Sequence, residues 1–236
     1  MMFWGGLMPN LSELEQAWKP QRNELAEAGT HEAIRIRLHR AFSWMKRAGA
    51  FESPDDADGL LIYSWIALNA LYARWQPKSE QPPPEWSIRR DFLEDIAGRD
   101  DHGRVQAYLR EHRATCDRLL SEEHLHIFYW SDPSPETARS ARSKARRAGQ
   151  GYHLPEEIES VLLPLIDRIA TLRSQLVHGQ ATHGSGVNRE IVVPCAALLN
   201  GLVLTMLHCI VEDGLWDPDE PWQPVPFPPM EPHFRR

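Results

Sequence analysis

Apolar residues recur at helical spacing in several stretches of the chain, whereas the alternation typical of a strand is nearly absent. The first stretch, 31–48, places Ile34, Leu38 and Phe42 on one stripe. Arg37 and the other basic residues of this stretch are expected mostly on the opposite side. The second stretch, 58–75, is apolar on most sides, which is typical of a buried helix. The pattern predicts an all-α fold.

Capping residues mark where these helices begin. Asp55, Asp56 and Asp58 are expected to cap the second helix and to favour its start electrostatically. A third helical region spans 86–130 and is interrupted near 98–103. A short basic helix follows, with Ser134 as its cap and Pro135 in its first turn.

Two long apolar helices complete the pattern. A fourth helix starts near 155–157 and ends at His178, with Gly179 as the residue after the C-cap. A fifth helix runs to about Asp213, and Pro194 requires either that this helix starts near it or that it kinks there. The final segment, 216–236, holds seven prolines and is expected to be extended. Its aromatic residues favour packing on the body over presentation of a proline-rich motif to a partner.

Composition limits the location and the possible partners. The three cysteines are odd in number and far apart, so a disulfide framework is not expected and a reducing, cytoplasmic setting fits best. No signal-peptide pattern and no apolar run of about 18 residues is present, which predicts no membrane span. A net charge of −7 argues against non-specific coating of nucleic acid but allows a local basic site.

The short basic helix is one candidate for such a local site. Its cationic side chains could bind RNA phosphates, and a solvated helix face is the alternative. The candidate residues are Arg139, Arg142, Lys144, Arg146 and Arg147.

Arg173 and His178 form the sharpest candidate pair for chemistry. Arginine and histidine are both frequent here, so chance alone produces such pairs, and periodicity must select among them. Arg173 and His178 bracket the last turn of the most regular amphipathic helix, where a positive charge is favoured by the helix C-terminus. The alternative is structural, with Arg173 paired to an acid such as Asp167 or Glu190 and His178 ending the helix.

Two motifs around this pair resemble bacterial HEPN-domain proteins, including Apea-like HEPN proteins and HEPN ribonucleases. The first motif is YSWIALNALYA at 63–73. The second is LRSQLVHG at 172–179, followed by AT at 181–182 and VNRE at 187–190. The resemblance covers roughly 34–213, and the part from about 80 to 152 is matched least.

The resemblance implies a bundle of four to five helices, usually dimeric, with a metal-independent endoribonuclease site in its active members. Residues 1–30 would then be an N-terminal extension, 31–215 the HEPN-like domain with an insertion at about 77–152, and 216–236 a proline-rich tail. The implied catalytic residues are Arg173, His178 and Ser174. Ser174 occupies a slot that is more typically Asn, Asp or His.

The chemistry implied by the resemblance is physically sensible. Cleavage of RNA without metal needs a base for the 2′-hydroxyl, an acid for the leaving oxygen and positive charge at the phosphorane. Histidine near neutral pH can perform either proton transfer, and a homodimer offers two histidines.

The further expectations are no cofactor, no metal and a homodimer acting on RNA. The resemblance also suggests a toxin or phage-defence component with an antitoxin or nucleotidyltransferase-like partner. The alternative function is a catalytically inactive module that binds a nucleotide, RNA or a partner protein. His124 and His126 hint at a metal site, but helical geometry would scatter them and their neighbouring glutamates.

Overall fold

The computed structural model describes residues 10–51, 54–73, 83–131, 133–149, 151–152, 157–186 and 189–215. All regular structure in these ranges is helical, which confirms the all-α prediction. The α-helices are α1 (Leu11–Glu27), α2 (Glu32–Ala48), α3 (Ala57–Tyr72), α4 (Glu85–Gly98), α5 (Arg104–Glu111), α6 (Arg113–Ser121), α7 (Ile127–Ser131), α8 (Pro135–Ala148), α9 (Glu159–Val177) and α10 (Arg189–Glu212). Short 3-10 turns lie at Pro54–Asp56 and Glu123–Leu125.

Helix α3 lies at the centre of the fold. It packs most extensively against α2 and α10, and it also contacts α4 and α9. Leu61, Trp65 and Leu68 on α3 are all buried. A helix that is apolar on most sides can be stable in water only when neighbours cover it on most sides, and this explains the central position.

Helix α10 runs without a break through Pro194, which stands in its sixth position. It is long and apolar enough to cross a membrane, but most of its apolar window is buried inside the structure, which fits the core helix of a soluble protein. The sequence argument against a membrane span considered only continuous apolar runs, and the apolar sequence of α10 is not continuous because polar residues interrupt it. The polar residues that interrupt α10, such as Asn200 and His208, are accommodated by packing and hydrogen bonds.

Segments assigned at the sequence level to an extension and an insertion contribute to the same core. Helix α1 contacts α2 and α10, and its residues Leu14 and Trp18 are buried. Leu93 of α4, Tyr108 of α5 and Leu119 of α6 also belong to this continuous hydrophobic core. The core therefore extends well beyond a bundle of four or five helices.

Two predictions about charged residues were wrong, the solvent-facing side of α2 for Arg37 and the capping of α3 for Asp58. Arg37 is only 1% exposed, and its guanidinium donates to the carbonyls of Ala70, Leu71 and Ala73 at the end of α3. Asp58 does not cap α3. It pairs with Arg189 of α10 and accepts from the Gly184 amide at 3.1 Å. In both cases a distant element, which the local pattern does not include, provides the partner.

Asp56 occupies the N-cap position of α3, but its side chain makes no capping hydrogen bond. The predicted signals at Ser134 and Gly179 are confirmed. Ser134 accepts from the Thr137 amide at 3.2 Å and caps α8. Gly179 follows the C-cap of α9 with a φ of 68°, which favours glycine. The residues 155–156 and the proline-rich tail 216–236 lie outside the described part of the chain.

All three cysteines are buried and unpaired. Burial raises the pKa of Cys116 to about 12, so its thiolate is strongly disfavoured at neutral pH. Cys195 and Cys209 lie inside α10, where burial likewise raises the thiol pKa. These cysteines act as small apolar residues.

Candidate functional site

A groove of about 770 Å³ runs along α9. One wall is formed by α9 side chains from Pro164 to Gln175, and the opposite side is formed by α4, the segment from Leu120 to Trp130, and α8. This volume lies within the range typical of ligand sites in proteins. We call it the α9 groove.

Arg173 lines the α9 groove and lies over the ring of Trp65. Its guanidinium carbon is 4.8 Å from the ring centroid, a favourable cation–π distance. Its Nε is buried and makes no hydrogen bond within the described residues. The two acids considered as partners are occupied elsewhere, since Asp167 pairs with Arg89 and Glu190 with Arg118. Arg173 is therefore held in position without an ion pair in the described part of the chain.

The contact between Trp65 and Arg173 joins the two sequence motifs. Trp65 belongs to the motif at 63–73 and Arg173 to the motif at 172–179. Arg89 of α4 lies over the same ring, with its guanidinium carbon 5.5 Å from the centroid. The indole thus contacts two arginines that line the α9 groove.

Arg89, unlike Arg173, is fully engaged by acids. It is 5% exposed, bonds both oxygens of Glu85 at 2.8 and 3.0 Å, and bonds Asp167 at 3.0 Å. Glu85 is also hydrogen-bonded to the Tyr72 hydroxyl, which contacts Asn69 on its own helix. Burial and Glu85 raise the pKa of Tyr72, so it stays protonated. This network fixes α4 against α3 and α9.

Two further cations in the groove have no carboxylate partner within the described residues. Arg168 is 5% exposed and donates to the Leu120 carbonyl at 3.3 Å. Burial lowers the pKa of Arg168 to about 10, which still leaves it charged at neutral pH. Lys144 of α8 is exposed and lies 5.9 Å from the Phe128 ring centroid. Together with Arg173 these groups give the groove an excess of positive charge.

His126 is a groove residue whose position the sequence did not indicate. It is 5% exposed, and its Nδ1 is buried with no hydrogen-bond partner among the described residues. Burial, then Arg168 and Lys144, lower the pKa of His126 to about 4. The imidazole is therefore neutral at pH 7. His124, by contrast, faces solvent and pairs with Glu122 at 2.7 Å, so the two histidines do not form a metal site.

Ser174 and His178 occupy different positions relative to the groove. Ser174 lines the groove beside Arg173, and its hydroxyl makes no hydrogen bond within the described residues. His178 is exposed at the end of α9 and does not line the groove. Residues five apart on a helix are separated by about 140° around its axis, so Arg173 and His178 face different directions.

The structure brings only one of the five basic residues of α8 into the groove. Lys144 lines it, whereas Arg139 pairs with Glu136 and Arg142 pairs with Glu123 at 2.9 Å. Arg146 and Arg147 are exposed away from the groove. The predicted RNA-binding face thus divides into one groove cation and a largely solvated surface.

Three large aromatic side chains at the mouth of the groove are more than half exposed. Trp86 is 58% exposed, Phe128 58% and Trp130 61%. The Trp130 indole donates to the His124 carbonyl at 2.8 Å, and the Gln175 amide donates to the same carbonyl at 3.3 Å. These bonds connect the aromatic segment to α9 while the Trp130 side chain stays more than half exposed. We call these three residues the aromatic rim.

A second cluster of polar side chains lies away from the groove. Side-chain ligand atoms of Asp100, Cys209 and Asp213 lie within 4.8 Å of one another. Asp100 accepts from the first amides of α5, at 2.9 Å from Arg104 and 2.7 Å from Val105. Asp213 pairs with the Arg104 side chain at 2.6 Å. These bonds cap and anchor α5, which accounts for the cluster without a metal.

Comparison with known proteins finds no match, since no family model, no curated protein and no solved structure is significantly similar to this chain.

Proposed function

We propose that this protein is a metal-independent endoribonuclease of HEPN type that acts as a homodimer. The observation that carries the proposal is the environment of the Arg173 side chain. It lines a groove, rests on Trp65 of the other motif, and has no acid partner in the described part of the chain. A guanidinium held in this way is available for a phosphate, to which arginine can donate two parallel hydrogen bonds.

The proposed reaction is a transesterification within the RNA strand. The 2′-hydroxyl oxygen attacks the adjacent phosphorus, a base takes its proton, and the 5′-oxygen of the next nucleotide leaves with a proton from an acid. Arg173 neutralises the charge that develops on the non-bridging oxygens. Ser174, which lies beside it, donates a hydrogen bond to the same phosphate. His178 transfers the protons.

The homodimer is part of the proposal because Arg173 and His178 face different directions on one helix. The end of α9 exposes His178 and also Val177, which is 55% exposed. Pairing of two protomers around their α9 ends would cover this valine and gather two histidines near the RNA. A cytoplasmic toxin or phage-defence role, with an antitoxin or nucleotidyltransferase-like partner, rests on the motif resemblance alone.

The test is cleavage of mixed RNA in EDTA by the wild type and by Arg173→Ala and His178→Ala. Loss of an electrostatic donor should reduce the rate about 100-fold or more, and loss of a general acid or base should reduce it by a similar factor. The products should end in 2′,3′-cyclic phosphate and 5′-hydroxyl groups.

Matched controls exist elsewhere on the surface. Arg110→Ala and His39→Ala each remove an exposed residue of the same type outside the groove, and both should cleave like the wild type. Equal cleavage by wild type and His178→Ala, or complete inhibition by EDTA, would contradict the proposal.

A second candidate function is a catalytically inactive HEPN module that binds RNA, a nucleotide or a partner protein. It is favoured by the position of His178 outside the groove that contains Arg173. Under this alternative, RNA binding survives His178→Ala, and neither protein cleaves RNA at any EDTA concentration.

A further inference from the structure

We propose that the α9 groove together with the aromatic rim is a binding site for an unpaired stretch of RNA, with phosphates at the cations and bases stacked on Phe128 and Trp130. This inference deepens the proposed function, because it names the substrate class of the same site. In this inference one wall of the site is formed by the segment from Leu120 to Trp130 and by Lys144 of α8, which lie within the least matched part of the chain.

The charges of the groove indicate an anionic ligand. Arg89 is neutralised by Glu85 and Asp167, whereas Lys144, Arg168 and Arg173 make no ion pair within the described residues. Arg168 is also almost completely buried, and Asp167 and Glu122 favour its charge only from beyond ion-pair distance. A buried cation without an ion pair costs free energy unless a ligand or another group offsets it. A phosphodiester would supply the missing negative charge.

The neutral His126 adds a polar group of a different kind. Its ring lines the groove, is nine-tenths buried or more, and has an unpartnered Nδ1. A buried polar atom without a partner normally finds one in a ligand or in ordered water. A neutral imidazole can donate or accept a hydrogen bond, as recognition of a sugar hydroxyl or a base edge requires.

The aromatic rim can bind the base of a nucleotide, whereas the cations bind its phosphate. Large aromatic side chains that stay exposed next to cations are the usual means of binding single strands, because every base has a face that can stack. The Trp130 indole is oriented by its bond to the His124 carbonyl, so little conformational entropy is lost when a base stacks on it. A duplex keeps its bases stacked inside and cannot use such a surface.

A second copy of this chain is a poorer occupant for the groove. A two-fold interface places the same patch against itself, and the unpaired cations of the two grooves would then repel. The dimer of the proposed function uses the end of α9 and leaves the groove open.

The experiment measures fluorescence anisotropy of a labelled 2′-O-methyl RNA strand of about eight nucleotides, a length in the range of single-strand sites. The 2′-O-methyl group blocks cleavage, so binding is measured separately from chemistry. Phe128→Ala and Trp130→Ala should each weaken binding about 10-fold. Both side chains are more than half exposed, so their truncation leaves the core intact. His39→Ala, which removes an exposed ring outside the groove, should bind like the wild type.

Salt dependence tests the phosphate end of the site. Lys144→Ala should reduce the slope of log affinity against log salt by about 0.7, the value for one phosphate contact on a single strand. Lys19→Ala removes an exposed lysine on α1 and should leave the slope unchanged.

Three results would overturn the inference: no binding of the strand at low salt, wild-type affinity in both aromatic variants, or a duplex that binds as tightly as the single strand. The two proposals can fail separately. Binding of the 2′-O-methyl strand without any cleavage of normal RNA would reject the ribonuclease alone. Cleavage by a protein whose aromatic variants bind normally would reject this site alone.

Discussion

At the scale of single residues, the structure assigns several charged side chains to roles that differ from those their neighbours in sequence suggest. Arg37 and Arg40 are close together on α2. Arg37 is buried beneath the end of α3, whereas Arg40 is partly exposed. The last carbonyls of a helix have no partner within the helix, and a cation there satisfies them and interacts favourably with the helix dipole. Arg37 is thus a structural arginine, in contrast to Arg173.

Replacement of Arg37 by methionine should lower the free energy of unfolding by about 3 kcal/mol, because it removes buried hydrogen bonds from a charged donor and leaves their carbonyls unsatisfied. Urea denaturation of Arg37→Met measures this loss. Arg110→Met changes an exposed arginine in the same way and should alter stability by less than about 0.5 kcal/mol. Similar effects of the two substitutions would show that Arg37 does not hold the end of α3.

At the scale of elements, close contact between α5 and α10 depends on Gly201. Tyr108 of α5 is buried, and its hydroxyl donates to the Leu198 carbonyl at 2.9 Å. A β-carbon on residue 201 would lie 2.8 and 2.9 Å from carbons of the Tyr108 ring and still closer to its hydroxyl. A glycine inside a helix is normally unfavourable, and here it allows the aromatic ring to pack directly on the backbone.

Gly201→Ala should therefore destabilise the protein by about 1–3 kcal/mol, since steric overlap outweighs the gain in helix propensity. Gly98→Ala is the matched control, because nothing lies within 4 Å of a β-carbon at the last residue of α4. It should be neutral or slightly stabilising. In a Tyr108→Phe background, the Gly201 substitution should cost less, and a double-mutant cycle in urea measures the coupling. An equal cost in both backgrounds would contradict the proposed contact.

At the scale of the whole molecule, His126 links stability to pH. The elements around it carry the cations Arg168 and Lys144 and the acids Glu122 and Glu123. Because the folded-state pKa of His126 lies near 4, below the ordinary histidine value of 6.5, the folded protein binds fewer protons than the unfolded chain between these values. Its contribution is fully present above pH 6.5 and is lost as the pH falls toward 4.

His126→Gln should accordingly lose less stability than the wild type when the pH is lowered from about 7.5 to about 5, since the glutamine cannot take up a proton. Urea denaturation at both pH values gives the comparison. His39→Ala, at an exposed position, should follow the wild type. A parallel decline in the wild type and the His126 variant would mean that His126 is not held neutral by the fold.

Much of the architecture follows from the sequence, because helix periodicity and capping are local properties. The spacing of apolar residues and the signals at Ser134 and Gly179 placed α2, α3, α8 and the end of α9 within a few residues. The same signals singled out Arg173 and His178 at the end of the most regular amphipathic helix, whereas Ser174 was indicated only by the motif resemblance. Local pattern also identified α10 as a core helix and left open whether it starts near Pro194 or kinks there; the helix starts at Arg189 and includes Pro194.

What only the tertiary structure decided is which side chains meet. The α9 groove, the support of Arg173 by Trp65, the burial of Arg37 and His126 and the separation of Arg173 from His178 all depend on contacts between distant segments. The periodicity of apolar residues describes one helix at a time and does not identify the helices that pack against it. Hydrogen bonds, burial and local charge depend on those partners, and they determine which arginine holds the fold together and which is left available for a ligand.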